Sequence, residues 1–519
     1  MTQDNVHLIS KSALRFLSGT FLSRCTGMFR DISMAFCFGS HPAVAAFMLA
    51  FRFANLFRRL CGEGALPASF IPHFESLRAQ SPEKSIQFFR DLFFSLVSFL
   101  ILLIFLMEVA LFYLLKLELM SPENAEIINL SRLMLPALLF ISLFGLTSAF
   151  LQCEKKFFLS GVAPVAFNFV WVGAVWLLRG LEIQRAMEGL AISVILAFGM
   201  QWLMTMKGNW WILFQKTRVS LFSQEMRQMV KPLFLSILGV GAVQINSLFD
   251  GLFARAASLE GPAYLWYAIR LEQLPLALFG IALSSALLPP LSRAIQAGEW
   301  DRYQELLSYG LKRSFIFMMP CTCALFVLGG TGVNLLYGRG DFSEQATLQT
   351  IICLWGYGIG LVPSVFVLLL APSFYAQKDY KTPTLAASYS VIMNIALNAL
   401  FIFVFRWGVF SVALATSLSS FFNVAWLCKK RGFLINKSLL FTFVKVVIIS
   451  LLSGGMTLFL GYFFHDPTWV ILQGKQLVLT RNIGEQLIQF GLLSLFFGFS
   501  FLMIGHLGGI GILKKQKMD

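Results

Sequence analysis

Residues 12–38 read SALRFLSGTFLSRCTGMFRDISMAFCF, and residues 43–72 read AVAAFMLAFRFANLFRRLCGEGALPASFIP. A membrane-spanning helix takes about 20 mostly apolar residues, and both stretches are long enough. Yet the first carries Arg24, Arg30 and Asp31, and the second carries Arg52, Arg58, Arg59 and Glu63. A later apolar stretch, 264–290, carries Arg270 and Glu272. A guanidinium stays charged at any physiological pH. In hydrocarbon it is costly, so such residues face a bundle interior or a water-filled cavity. Several cations lining one cavity call for an anion. These stretches point to an all-α, membrane-embedded protein that handles an anionic substrate.

The composition agrees. The chain has 519 residues, 57% hydrophobic and 13% charged, with a mean hydropathy of +0.74. A soluble globular protein carries about 25% charged residues. The net charge of +15 is not laid out for nucleic acid: there is no aromatic-interleaved basic stripe and no zinc-finger spacing. Instead, basic residues punctuate apolar runs, as at the cytoplasmic flanks of membrane helices. The eight cysteines form no framework. Cys321 and Cys323 are closer than the usual C-x-x-C site, and all eight are expected to be packing residues. No cleavable signal is expected, because the first apolar stretch holds Arg24, Arg30 and Asp31 and runs into another segment. The unbroken apolar runs exclude a β-barrel. The absence of a G-x-x-x-x-G-K loop argues against direct ATP use.

Fourteen apolar cores can be marked: 12–37, 43–72, 89–115, 130–152, 158–178, 188–206, 229–253, 264–290, 308–336, 350–375, 383–405, 407–427, 438–461 and 484–507. With the N-terminus taken as cytoplasmic, 24 of the 41 Lys and Arg residues fall on cytoplasmic ends and loops and eight on the opposite side. That bias predicts both termini in the cytoplasm. No connection is long enough for a soluble catalytic domain, so the chemistry belongs in the membrane region.

The chain also repeats. AFRFANLFRRLCGEGALPASFIP, from Ala50, and AIRLEQLPLALFGIALSSALLPP, from Ala268, match at seven of 23 positions at an offset of 218. Arg52/Arg270, Gly62/Gly280 and Pro72/Pro290 are among the matches. An apolar segment ending near an aspartate precedes each copy, with Asp31 and Asp250. We therefore expect two pseudo-symmetric six-helix lobes, 1–215 and 216–430, with 431–519 adding helices 13 and 14 and a cytoplasmic tail. An even repeat keeps both copies in one orientation, a known transporter architecture.

Arg24 and Arg30, six apart, lie about 240° apart around a helix, whereas Arg52 and Arg59, seven apart, share a face. Arg30 can pair with Asp31 or Glu63, and Arg52 can snorkel from the start of its segment. Six intramembrane arginines exceed the acids Asp31, Glu63, Asp250 and Glu272. The guanidinium fork matches phosphate or pyrophosphate oxygens. Asp250, Asn394, Asn398 and Thr416 form a weaker set. Asn394 and Asn398 share a helix face, and the set reads either as a site for a small hard cation such as sodium or as interhelical hydrogen bonding.

FLSRCTGMFRD at 21–31, ANLFRRLCGEGAL at 54–66, FIP at 70–72, AIRLEQLP at 268–275 and ALLPPLSR at 286–293 resemble the MurJ/MviN family. The resemblance covers essentially the whole chain. It implies a fourteen-helix flippase of the bacterial cytoplasmic (inner) membrane. Such a flippase moves lipid II, the undecaprenyl-pyrophosphate-linked peptidoglycan precursor, outward by alternating access without covalent chemistry. The family belongs to the multidrug/oligosaccharidyl-lipid/polysaccharide exporter superfamily. Its essential arginines fall on Arg24, Arg30, Arg58 and Arg270, which would hold the pyrophosphate and sugar head group while the tail lies by helices 13 and 14. Two positions depart from the family: Ala45 and Gln273 stand where acids are frequent, with Glu272 beside the latter. Some members bind sodium, which the Asp250, Asn394, Asn398 and Thr416 set resembles loosely. No cofactor is implied beyond sodium and the membrane potential as coupling forces. The expected partners are lipid II, membrane lipids and the cell-wall synthesis machinery, with no nucleic acid. The competing readings are an exporter of another anionic lipid-linked saccharide with the same fold, a membrane-embedded glycosyltransferase, and a scaffold.

Overall fold

A computed structural model describes residues 3–58, 65–117, 121–215, 219–221, 223–377, 379–431, 437–464, 466–473, 479 and 482–509. Among the described residues the chain is helical, with no strand. In chain order the helices are α1 (Gln3–Phe38), α2 (Pro42–Phe57), α3 (Ala65–Gln80), α4 (Pro82–Lys116), α5 (Pro122–Met134), α6 (Ala137–Cys153), α7 (Phe157–Leu178), α8 (Ile183–Met206), α9 (Gln224–Ala257) and α10 (Gly261–Pro275). They continue as α11 (Ala282–Gln296), α12 (Trp300–Tyr337), α13 (Glu344–Ile359), α14 (Leu361–Tyr375), α15 (Lys381–Ala399), α16 (Phe410–Arg431), α17 (Lys437–Phe463), α18 (Pro467–Leu472) and α19 (Ile483–Leu507). Each of the fourteen apolar cores falls on this helical framework. Among the described residues, eight helices are long and apolar enough to cross a membrane, or ten if each of two bent pairs counts as one span.

Local chemistry sets the helix starts. Ser81 accepts from the Lys84 backbone N–H ahead of Pro82, and Ser343 accepts from Ala346 N–H at 3.1 Å. Both satisfy amides that the first helical turn leaves without partners. Some of the apolar cores bend or pass through π-helical turns. The core at 43–72 carries α2 and α3, with 59–64 outside the described residues. The core at 130–152 bends by 48° between α5 and α6, ahead of which lies Pro136, and the core at 350–375 bends by 41° between α13 and α14 at Gly360. The core at 264–290 passes through a π-helical turn, Leu276–Ile281, between α10 and α11. Hydropathy does not register such breaks, because a bend changes no residue's polarity.

The element order recurs. The end of α2, Phe57, and the end of α10, Pro275, are 218 residues apart, as are the starts of α4, Pro82, and α12, Trp300. The bent pair α5–α6 is matched by α13–α14. The repeat seen in 23 residues of sequence therefore extends over successive elements.

The chain divides into two compact units, Met1–Gly251 and Leu252–Asp519. In the first, a phenylalanine-rich core joins α3, α4 and α6. Phe70, Phe74, Phe88, Phe89, Phe93 and Phe150 are buried there, with the Phe89 and Phe150 rings 4.6 Å apart. Met229 of α9 is packed into the same core. Most of α9 thus belongs with the first unit by packing, although by sequence it opens the second copy of the repeat.

In the second unit, Tyr303, Leu307, Phe374 and Leu427 join α12, α14 and α16. Small residues bring helices together: a Cβ on Gly356 would sit 2.8 Å from Ala413 Cβ, and one on Gly360 would sit 2.8 Å from Ser417 Cα. Gly356 and Gly360 of the α13 end thus face Ala413 and Ser417 of α16, a small-xxx-small contact on both sides.

Candidate functional site: the intramembrane arginines

The arginines differ sharply in surroundings. On α1, Arg30 is buried, and its Nη2 and Nε donate to Asp31 Oδ1 at 2.8 and 3.0 Å. Its Nη1 donates to Asn168 Oδ1 at 3.2 Å, and the guanidinium carbon lies 4.8 Å from the Trp171 ring. Asn168 is fixed in turn, donating to Ser23 O at 3.1 Å and Thr26 Oγ1 at 2.9 Å. This network ties α1 to α7. The two helices come close because Gly19 meets the α7 backbone: a Cβ there would be 3.0 Å from Gly161 C. Of the two pairing options open in the sequence, Arg30 takes Asp31, and its charge is compensated within the protein. Glu63 and Arg59 lie outside the described residues.

Arg24 is the contrasting case. It is exposed, one and two-thirds turns before Arg30 on the same helix, and makes no ion pair among the described residues. The six-residue spacing accounts for this split between an inward and an outward face. On α2, Arg52 is half-buried and its Nη1 donates to Ser247 O of α9 at 3.0 Å. Arg58 is half-buried at the C-terminal cap of α2. Ala45 of α2 is fully buried in the apolar core.

In the second unit, Arg270 lies half-buried on α10, with its guanidinium carbon 4.6 Å from the Trp266 ring. The stack fixes the plane of the guanidinium against the indole. Glu272, two residues on, is buried, and Gln273 is half-buried. The π-helical turn begins four residues after Glu272.

The polar set divides between the units. Asp250 belongs to the first unit, where it accepts from Asn246 Nδ2 at 3.3 Å. In the second, Asn394 Nδ2 donates to Thr416 Oγ1 at 3.2 Å and Asn398 Nδ2 donates to Asn394 Oδ1 at 2.8 Å. The first bond joins α15 to α16, as interhelical amides do, and the second lies within α15. Their oxygens suit a hard cation, but Asn394 Oδ1 already accepts from an amide. Among the described residues no group of three His, Cys, Asp or Glu could hold a metal.

The sequence reading missed Asn168 and Trp171, single residues in an otherwise apolar helix whose spacing gives no hint of the arginine they hold. It also passed over Glu108. This acid of α4 accepts from Arg132 Nε at 3.1 Å, adding an ion pair to the apolar segments.

Comparison with known proteins adds the family. Residues 34–478 match the family described as lipid II flippase MurJ. A probable lipid II flippase MurJ of Chlamydia trachomatis is 34% identical, across 100% of this chain and 96% of its own length. The chain belongs to the MurJ lipid II flippase family. A lipid II flippase MurJ of Burkholderia cenocepacia is 27% identical over 95% of this chain and 97% of its own. Among solved structures, lipid II flippase MurJ in an inward closed conformation superposes with a TM-score of 0.79 at 22% identity, covering 96% of this chain and 99% of that one. An inward-facing multidrug MATE transporter superposes at 0.66 with 13% identity, over 81% and 98%. The fold is thus the MurJ and MATE transporter fold. Membership of MurJ makes the chain a multi-pass membrane transporter rather than an enzyme of covalent chemistry.

Proposed function

We propose that the chain flips lipid II from the cytoplasmic to the periplasmic leaflet of the bacterial inner membrane. The observation that carries the proposal is Arg24, a guanidinium in an apolar helix, exposed and without a carboxylate partner among the described residues. Such a group in a low-dielectric setting attracts a phosphate or pyrophosphate far more strongly than it would in water. Arg58 of the first unit, and Arg270 of the second, braced on Trp266, are further candidate guanidinium contacts to the head group. Arg30, Asp31 and Asn168 fasten the helix that carries Arg24 to α7. Fourteen crossings in two six-helix lobes plus a final pair, with both termini cytoplasmic, allow alternating access. The head group enters from the inside, the arginines neutralise it, and the cavity reopens outward. The membrane potential resets the charged, empty carrier, and sodium at the Asn394, Asn398 and Thr416 oxygens is a second coupling element. Contacts with cell-wall synthesis proteins belong to the same proposal.

The test uses purified full-length protein in liposomes with labelled lipid II in one leaflet. Wild type should move the label across. Arg24→Ala and Arg270→Ala, folded by their melting transitions, should lose transfer by tenfold or more, the scale of one charge-assisted bond. Movement of another anionic lipid-linked saccharide but not lipid II would assign the fold to a different export substrate. That alternative is raised by Ala45 and Gln273. Wild-type transfer equal to empty liposomes for both lipids would rule out the carrier reading.

A further inference from the structure

One end of the second unit gathers the start of α12, the end of α14, the start of α15 and the end of α16. There Arg431 lies flat on an aromatic floor, its guanidinium carbon 4.3 Å from the Tyr303 ring and 5.6 Å from Phe374. The floor is rigid. Tyr303 is fully buried, and its hydroxyl donates to Ser373 O at 3.4 Å and lies 3.5 Å from the Gln377 amide. Trp300, more than half exposed, sits 6.1 Å from Tyr303 at the rim. One residue before Arg431, Lys430 lies over the Trp426 ring at 5.9 Å.

Two features separate this cluster from an ordinary helix-end snorkel. Arg431 Nε is shielded from solvent and makes no hydrogen bond among the described residues. No carboxylate pairs with the guanidinium among them either. Of the acids at this end, Glu299 is engaged by Arg302 at 3.1 Å and Asp379 accepts from the Thr382 N–H at 3.0 Å, while Asp301 and Glu305 are exposed. Stacking occupies the face of the guanidinium and leaves its in-plane donors for an oxyanion. Tryptophan and tyrosine beside lysine and arginine is the composition of a helix end at the headgroup level, and clustered basic residues there recognise anionic lipid.

We infer that Arg431, on its Tyr303–Phe374 floor and flanked by Lys430, is a binding site for the headgroup phosphate of an anionic phospholipid, separate from the intramembrane arginines. The stacked fork supplies specificity, and Lys430 adds charge.

The probe is phosphatidylglycerol against phosphatidylcholine, added to the full-length protein in detergent and read by native mass spectrometry as lipid occupancy. Wild type should retain phosphatidylglycerol preferentially. Arg431→Gln should lower that retention about fivefold, the weight of one basic residue at a membrane surface. Arg431→Lys should lose most of it, because an ammonium cannot replace the fork. Lys430→Gln should cost less than either. Melting temperatures check that the variants fold, and the wild-type lipid preference decides independently of them. Equal retention of both lipids by wild type overturns the site, as does unchanged phosphatidylglycerol occupancy in Arg431→Gln. Displacement of the lipid by millimolar inorganic phosphate, with phosphate bound equally well on its own, would assign the site to a free anion and overturn the lipid assignment.

Discussion

At the scale of residues, the charge that the arginines bring into the first apolar stretch is legible in the sequence, but their surroundings are not. Charge in hydrocarbon shows in any sequence window, whereas the partner that neutralises it can come from anywhere in the chain. Asn168 is 138 residues from the arginine it holds. The structure separates Arg30, committed to Asp31 and Asn168, from Arg24, which is exposed. This yields opposite expectations for stability and transport. Removing one member of a buried ion pair leaves a charge uncompensated and typically costs about 3–5 kcal/mol. Asp31→Ala should therefore lower the melting temperature in detergent sharply, and Arg30→Met combined with Asp31→Ala should recover much of the loss. Arg24→Ala should change stability by no more than about 0.5 kcal/mol, as substitutions away from packed features do, while lipid transfer falls. An Asp31→Ala protein as stable as wild type would show that the pair does not support the Arg30–Asn168 tie between α1 and α7.

At the scale of elements, the helical, membrane-spanning character of the chain is readable because long hydrophobic runs have few other uses, and eight to ten spans stand among the described residues. Their internal breaks are not, since bends arise from backbone and packing rather than polarity. The glycines at these breaks serve close approach. Gly360, at the 41° bend, allows Ser417 to reach the α13 end, where Ser417 Oγ donates to Gly356 O at 2.6 Å. Gly360→Leu should force α16 away and destabilise the protein by about 1–3 kcal/mol, the usual cost of overpacking. Gly360→Ala should lie between this variant and wild type in a thermal-melt series. A second contact of the same kind fastens the final helices. Asp466 is buried, accepts from Thr331 Oγ1 of α12 at 2.8 Å and caps α18 through the Thr468 N–H at 2.7 Å. The Gly330 N–H donates to Thr468 Oγ1 at 3.2 Å, and a Cβ on Gly330 would collide with that hydroxyl. Gly330→Ala should break this latch. Cysteine crosslinks placed between α12 and α18 should then form more slowly than in the parent protein. Unaltered crosslinking would show that α18 is held by other contacts.

At the scale of the whole molecule, the element boundaries at Phe57/Pro275 and Pro82/Trp300 share the 218-residue offset that sequence shows in one short block. The transport proposed above has an electrical side. A carrier whose empty site holds net positive charge is driven by the membrane potential, with each charge crossing 100 mV worth about 2.3 kcal/mol. Neutralised pairs contribute nothing to that term. The Arg30–Asp31 pair is such a neutral unit, whereas Arg24 has no acid beside it among the described residues. Voltage sensitivity should therefore reside in Arg24 rather than in Arg30. In liposomes clamped by potassium gradients with valinomycin, wild-type lipid II transfer should change with the imposed potential. Arg24→Gln should flatten that dependence even where residual transfer is measurable. The paired change Arg30→Gln with Asp31→Asn removes one charge of each sign and should leave the slope intact, whatever it does to the rate. If the slope follows Arg30 instead, or if wild-type transfer ignores the potential altogether, then the exposed guanidinium of α1 binds its anion without coupling the carrier to the field.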